Sequence, residues 1–237
     1  NIRLHLMQKG VNINGTHLPI EELHLSFLVD KLRNEFGFLE SSRSSIPVDG
    51  YGNVMPLYSY PCYEYIRSMD WKNANIFEFG CGYSSIWWDN VDANVYGVDS
   101  NDEWINKIQS SVSGHLNIEL ANDGEDYTTS IYEHNLKYDV IVLDGSYRYE
   151  CVQPSLECLA DDGMIILDNS EWHINSKELL DASDLLPVHF HGMKPIHVDI
   201  ETTSCYISRA FNRTPNSILP MGGTKRQPHP TDSPASR

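Results

Sequence analysis

The chain has 237 residues, 41% of them hydrophobic and 21% charged, an ordinary composition for one globular domain with appendages. Its 17 Lys and Arg face 33 Asp and Glu, a formal net charge of −16, and the densest basic run is Lys225-Arg226, so nucleic acid is disfavoured as a partner. No stretch approaches the roughly 20 apolar residues of a membrane span, and the five cysteines are widely spaced with no C-x-x-C pair, which argues against a disulfide framework or a thiolate zinc site.

Residues 1–57 read as an N-terminal extension. Asn1 to Gly10 lacks the continuous apolar core of a secretory signal, so a cytoplasmic location with free thiols is the simplest expectation. Within the extension, Leu23, Phe27, Leu28, Leu32 and Phe36 recur near helical spacing and predict one amphipathic helix over 20–36 that caps a larger body. A helix follows over 61–69.

From there to about 210, short apolar runs alternate with amphipathic segments. Strands are predicted at 75–79, 94–98, 116–120, 138–143 (YDVIVL) and 164–167, with helices at 83–90, 102–112 and 149–160 between them. Ser100 and Glu103 suggest a capping box for the helix at 102. This alternation implies an α/β fold with a parallel sheet covered on both faces. Two further strands, 186–191 and 203–208, are joined by a link of about a dozen residues that does not read as helical, so that pair is expected to be antiparallel. From 212 to 237, five prolines among Gly, Ser and Thr predict a disordered tail.

Ligands of an open parallel sheet sit outside the carboxyl ends of its strands. Four of the first five predicted strands end in a glycine-rich or acidic element: Gly80-Cys81-Gly82, Asp99, Asp144 and Asp168-Asn169. Glycines after a first strand admit a ligand to the backbone. A dinucleotide fingerprint needs a third glycine at position 85, which is Ser, and the carboxylate of Glu78 is unfavourable near a pyrophosphate. Both departures point to a cofactor without phosphates and with a cationic part.

The run E-F-G-C-G-Y-S-S, followed by V-Y-G-V-D ending at Asp99, resembles the first two motifs of class I S-adenosylmethionine-dependent methyltransferases. Asn122-Asp123-Gly124 and YDVIVLDG fall where further motifs of that family lie, and S-Y-P-C-Y-E-Y resembles one of its bacterial branches. The resemblance spans 58–211. It implies a Rossmann-like sheet of seven mostly parallel strands with helices on both faces and the last strand antiparallel. It also implies that Glu78, Gly80, Cys81, Gly82 and Ser84 line S-adenosylmethionine, that Asp99 takes the ribose hydroxyls with Ser100 beside it, that Asp123 and Gly124 meet the adenine, and that Asp144 adds to the anionic pocket around the cofactor. Tyr58 and Tyr60 are candidates to cover the cofactor.

Asp144 and the Asp168-Asn169 pair further resemble the divalent-metal-dependent O-methyltransferases of the catechol and caffeoyl-coenzyme A type. That likeness implies magnesium (Mg2+) on Asp144, Asp168 and Asn169, activating a substrate hydroxyl. The pattern departs at position 147, where the subfamily carries a Lys and this chain has Tyr147, next to Arg148. Tyr147 with its pKa lowered by Arg148 or the metal, and His173, are the candidate bases beside Asp144. The expected reaction is methyl transfer to an oxygen, less readily a nitrogen, of a small molecule. A non-catalytic descendant of the fold and a nicotinamide-dependent oxidoreductase stay open as alternatives. The sequence sets no oligomeric state.

Overall fold

The computed structural model describes residues 11–13, 16–112, 114, 116–122 and 124–223. β1 (Val11–Ile13) and β2 (Thr16–Leu18) form a small antiparallel pair separate from the main sheet. α1 (Ile20–Asp30) runs on into a π-helical turn, Lys31–Glu35, so the helix expected over 20–36 changes geometry part-way. No residue of α1 is buried, and Leu25, Phe27, Leu28 and Val29 are 45% to 60% exposed. The extension meets the body further along, where Phe36 and Phe38 pack on the core and the Phe36 ring stands edge-on to Tyr60 at 5.0 Å. α2 (Phe38–Ser44) then leads toward α3 (Tyr60–Arg67), which carries Pro61 in its first turn, where a missing N–H costs nothing.

The main sheet has seven strands: β3 (Asn75–Phe79), β4 (Asn94–Asp99), β5 (Asn117–Leu120), β6 (Tyr138–Leu143), β7 (Leu159–Leu167), β8 (Leu186–Met193) and β9 (Ile200–Ile207). Their order across the sheet is β5-β4-β3-β6-β7-β9-β8. All neighbours are parallel except β9, which runs antiparallel to both β7 and β8. This is the Rossmann-like α/β architecture expected from the sequence. The helices α4 (Tyr83–Asn90), α5 (Asp102–Gln109), α6 (Gly124–Thr129), α7 (Arg148–Cys158) and α8 (Ile174–Asp181) connect the strands.

Successive side chains on a strand point to opposite faces, and a sheet covered on both sides must be apolar on both. Val140, Val142, Met164 and Ile166 accordingly enter one core with α3, α4, Trp71 and Trp88, while Phe77, Phe79, Ile141, Leu143, Ile165 and Leu167 enter the other with Tyr127 and Leu180. Met221 packs against the first core as well.

The segment from 212, expected to be disordered, takes a defined path through 223. Its backbone groups find partners at the end of α3: Asn216 donates its N–H to the Ser68 carbonyl (2.6 Å), and Met221 donates to Glu64 Oε1 (2.7 Å). Residues 224–237 lie outside the described residues. Arg213 pins this segment to the sheet. Its guanidinium pairs with Asp139, whose other oxygen accepts the Asn75 N–H at 2.7 Å, and lies 5.2 Å from the centre of the Trp71 ring. Arg213→Ala is therefore expected to lower stability by about 2 kcal/mol, read as a shifted urea midpoint with an unchanged slope.

Candidate functional site

Strand register assembles the site. Phe79 lies opposite Val98 on one side and Leu143 on the other, and Leu143 lies opposite Leu167. The next residue of each strand therefore falls on one rung, Asp99–Gly80–Asp144–Asp168. Backbone hydrogen bonds continue across it: Gly80 N–H to Val98 (2.9 Å), Asp144 N–H to Phe79 (3.0 Å) and Asp168 N–H to Leu143 (3.2 Å). Four elements distant in sequence thus share one lip at the carboxyl ends of the parallel strands.

The glycine bend is specified sterically. Gly80 has φ +89, and a Cβ there would be driven into the backbone of Gly145. Asp99 braces the bend from the β4 side, its Oδ2 accepting the Cys81 N–H (3.1 Å) and its Oδ1 the Asn101 N–H (2.9 Å). From beneath, Glu78 accepts a hydrogen bond from the Ser85 hydroxyl, whose oxygen accepts the Gly82 N–H at 3.0 Å. Glu78 is fully buried, below the bend and not on its open face. Burial pushes its carboxyl up to about 8 despite the Ser85 hydrogen bond, and Oε1 has no partner. Ser84 is buried in the first turn of α4. The Cys81 thiol is also buried, and burial followed by the charges of Glu78 and Asp99 pushes it well above the usual range, so this position acts through its backbone.

Across the bend, Asp144 keeps 28% of its side-chain surface open and pairs with Arg148 through Oδ1 at 3.0 Å. Burial and the neighbouring Asp168 push its carboxyl up to about 7, with Arg148 opposing. Arg148 faces inward, donating also to the carbonyls of Asp144 (2.8 Å), Gly145 (3.0 Å) and Asp168, so it clamps the ends of β6 and β7 together.

The magnesium site expected on Asp144, Asp168 and Asn169 is not built. Asp168 is 2% exposed; its Oδ2 pairs with the Lys194 ammonium and its Oδ1 accepts the Thr203 hydroxyl at 2.6 Å. Lys194 also reaches Glu201 Oε2 at 3.2 Å. Asn169, at φ +50, donates through Nδ2 to that same Glu201 oxygen at 2.6 Å. Asp168 and Asn169 are thus engaged with an internal cation and its partners, and among the described residues no group of three or more His, Cys, Asp or Glu is arranged to hold a metal.

Other expected residues separate. Tyr60 is buried against the extension, its hydroxyl donating to the Phe36 carbonyl at 3.4 Å, and it does not reach the lip. Tyr58 does. Its hydroxyl is buried without a partner, and burial, then the charges of Glu78, Asp144 and Asp168, push the phenol well above its usual range. Ser100 is exposed and does not cap α5; Asn101 does, accepting the Trp104 N–H at 3.0 Å. Asp123 lies outside the described residues. Gly124 faces the Tyr147 ring, and a Cβ on Gly124 would sit 3.2 Å from that ring. Tyr147, at φ +52 and 44% exposed, also lies 5.6 Å from the Tyr127 ring, so its ring stands over Gly124 beside Tyr127. His173 precedes α8; burial and then Arg148 lower its pKa, with Asp168 and Glu171 opposing.

Sequence reasoning did not single out Ser85 as a brace, nor Lys194. Ser85 was legible in one respect, standing where a dinucleotide site needs glycine. Lys194 lies in the irregular link between β8 and β9 and carries no local signal. A cleft of about 560 Å³ between the π-helical turn and residues 218–223 shares no residue with the lip.

No family model and no curated protein matches this sequence. The fold is similar to several solved structures at low identity. An O-methyltransferase from Bacillus cereus in complex with SAH is 16% identical over 63% of this chain and 78% of its own, with a TM-score of 0.49. The O-methyltransferase TomG from Streptomyces achromogenes, involved in tomaymycin synthesis and solved with SAM, is 13% identical over 63% and 77%, with a TM-score of 0.48. An rRNA methylase from Streptococcus thermophilus is 11% identical over 62% and 93%, with a TM-score of 0.44.

Glu78 gives a pH signature. Its folded value of about 8 lies above the ordinary carboxyl value of 4.5, so the native state favours the protonated form. That contribution is fully present below the ordinary value and is lost as pH rises toward 8. Between about pH 5 and pH 8, Glu78→Gln is expected to gain stability relative to the unaltered chain, measured as a difference in urea midpoints that widens with pH.

Proposed function

We propose that this protein is an S-adenosylmethionine-dependent methyltransferase acting on an oxygen of a small-molecule acceptor. The observation that carries the reading is the shared rung: a two-glycine bend flanked by Asp99 on one side and Asp144 on the other. Asp99 uses one hydrogen bond per carboxylate oxygen on the bend and the turn to α5, which leaves a lone pair on each for adjacent ribose hydroxyls. Tyr58 Oη, buried and unpartnered near Asp144, fits the demand of a cofactor amino-acid group for a polar partner. A cation at the bend favours the charged form of Glu78. The Tyr147 ring, lying over Gly124 and 44% exposed, offers a flat apolar surface for the adenine.

When bound, the cofactor supplies an electrophilic methyl group on a sulfonium sulfur. The chain's own part is to place an acceptor oxygen in line and remove its proton. Asp144 suits the proton removal, because it is partly open, oriented by Arg148, and held near pH 7. His173, neutral at pH 7 because its pKa is lowered, is a further proton acceptor on the side of Arg148 and Asp168. The ring of Trp172, 70% exposed just past Asp168-Asn169, offers the acceptor an apolar platform.

The net charge of −16 argues against a polyanionic acceptor. The Ser85–Glu78 brace argues against a pyrophosphate cofactor, since Ser85 stands where the third glycine belongs and a carboxyl lies beneath the bend. All five cysteines are free and buried, compatible with a cytoplasmic location. Calorimetry is expected to detect binding of S-adenosylhomocysteine and none of NADH. Asp99→Ala is expected to weaken S-adenosylhomocysteine by about tenfold or more; unchanged affinity overturns the ribose assignment.

A further inference from the structure

On the β6–β7 side of the lip, three carboxylates, Asp144, Asp168 and Glu201, face two cations, Arg148 and Lys194. Lys194 is the buried one. Its side chain is 1% exposed, and the side chains of its partners Asp168 and Glu201 are 3% and 6% exposed. An ammonium is a compact point charge with three donors, and this one bridges two carboxylates from different elements. Every remaining oxygen of the pair is also in use. Asp168 Oδ1 takes Thr203, Glu201 Oε1 takes His197 at 2.6 Å, and Asn169 shares Glu201 Oε2. Thr203 Oγ1 in turn accepts the Ser59 N–H at 2.9 Å, joining the cluster to the segment that carries Tyr58.

A hard divalent cation gathers several oxygen ligands and neutralises their charge. Lys194 does both here with a single charge fixed to the chain. We infer that Lys194 is a built-in cation standing in the place of a divalent metal, so that this site works without one. Lys194 is a positioning residue: it is sealed from solvent, holds Asp168 and Glu201, and leaves Asp144 as the carboxylate open to the acceptor. The acceptor then needs no pair of adjacent oxygens to chelate a metal, and a lone hydroxyl suffices. This meaning for the acceptor rests on the methyltransferase reading; the ion cluster itself does not.

Two measurements on the whole chain separate these. In calorimetry, affinity for S-adenosylhomocysteine is expected to agree within about twofold between buffer with EDTA and buffer with millimolar magnesium. Failure to bind in either buffer overturns the methyltransferase reading and leaves the second measurement intact. In that measurement, manganese binding is followed by electron paramagnetic resonance. The unaltered chain is expected to bind no stoichiometric manganese. A manganese site in it that Asp168→Asn abolishes overturns the inference, whatever the variants do. Lys194→Ala vacates the ammonium and is expected to gain one manganese site together with a metal-dependent rise in thermal midpoint. A folded Lys194→Ala chain that ignores manganese overturns the claim that the ammonium fills a metal's place. Should Lys194→Ala fail to fold without metal, refolding on addition of manganese gives the same support, and with no refolding the unaltered chain's result decides.

Discussion

The backbone of Gly80 lies directly against that of Gly145, and the lip exists because no side chain separates them. This contact brings the chain leaving β3 and β6 together, one residue past Phe79 and two past Leu143. It sets Cys81 and Gly82 where Asp99 and Ser85 can hold their N–H groups, and it points Asp144 toward the open side. The Tyr127 hydroxyl fills the space where a side chain at Gly145 would stand, so the second glycine is as constrained as the first. Two further residues near the lip, Tyr147 and Asn169, also take left-handed backbone angles. Conformations that L-residues avoid persist where surrounding structure over-determines them, and such residues cluster at functional sites.

The ion cluster behind the lip is a different kind of constraint. Burying a charge is costly unless its partners are close and fully hydrogen bonded. Lys194 meets that condition through Asp168 and Glu201. Burial alone pulls its ammonium down, and the surrounding carboxylates of Asp168, Asp144 and Glu201 hold it above the ordinary lysine value. The cluster that satisfies Lys194 takes up Asp168 and Asn169, two of the three ligands expected for a metal. The likeness of Asp144 and Asp168-Asn169 to a magnesium site is therefore one of sequence position and not of coordination.

Much of the sheet was legible in the chain. Asn75–Phe79 and Tyr138–Leu143 are short, mostly apolar runs ended by Gly80 and Asp144, and the structure places those strands on the expected residues. The antiparallel final pair was legible because its link is too irregular to be a crossover helix. Other features depended on long-range contacts that local pattern does not encode. β7 begins at Leu159, well before the apolar run at Met164, because Tyr138 pairs with Leu159 across a register shift that tolerates Asp161-Asp162-Gly163. The cap of α5 moved from Ser100 to Asn101 because the backbone at position 101 is extended and places its amide oxygen on Trp104. The segment 212–223 has no periodicity of its own, and its path follows from its hydrogen bonds to the end of α3. At the site, the glycine bend and the acids were readable as strand-end punctuation. Lys194 was not, since one lysine in a loop has no pattern until the fold brings it to Asp168.

The reversed direction of β9 carries a consequence for how this lip is supplied. In a wholly parallel sheet, each strand contributes only its final residues to the ligand edge. Here β8 arrives at that edge and β9 departs from it, so the hairpin delivers Lys194 as it comes in and Glu201 to Thr203 as it goes out. The outermost pair of strands is thus an ion-pairing insert as well as a flank: it sets the Lys194 ammonium against Asp168 and supplies, in Glu201, that ammonium's second carboxylate.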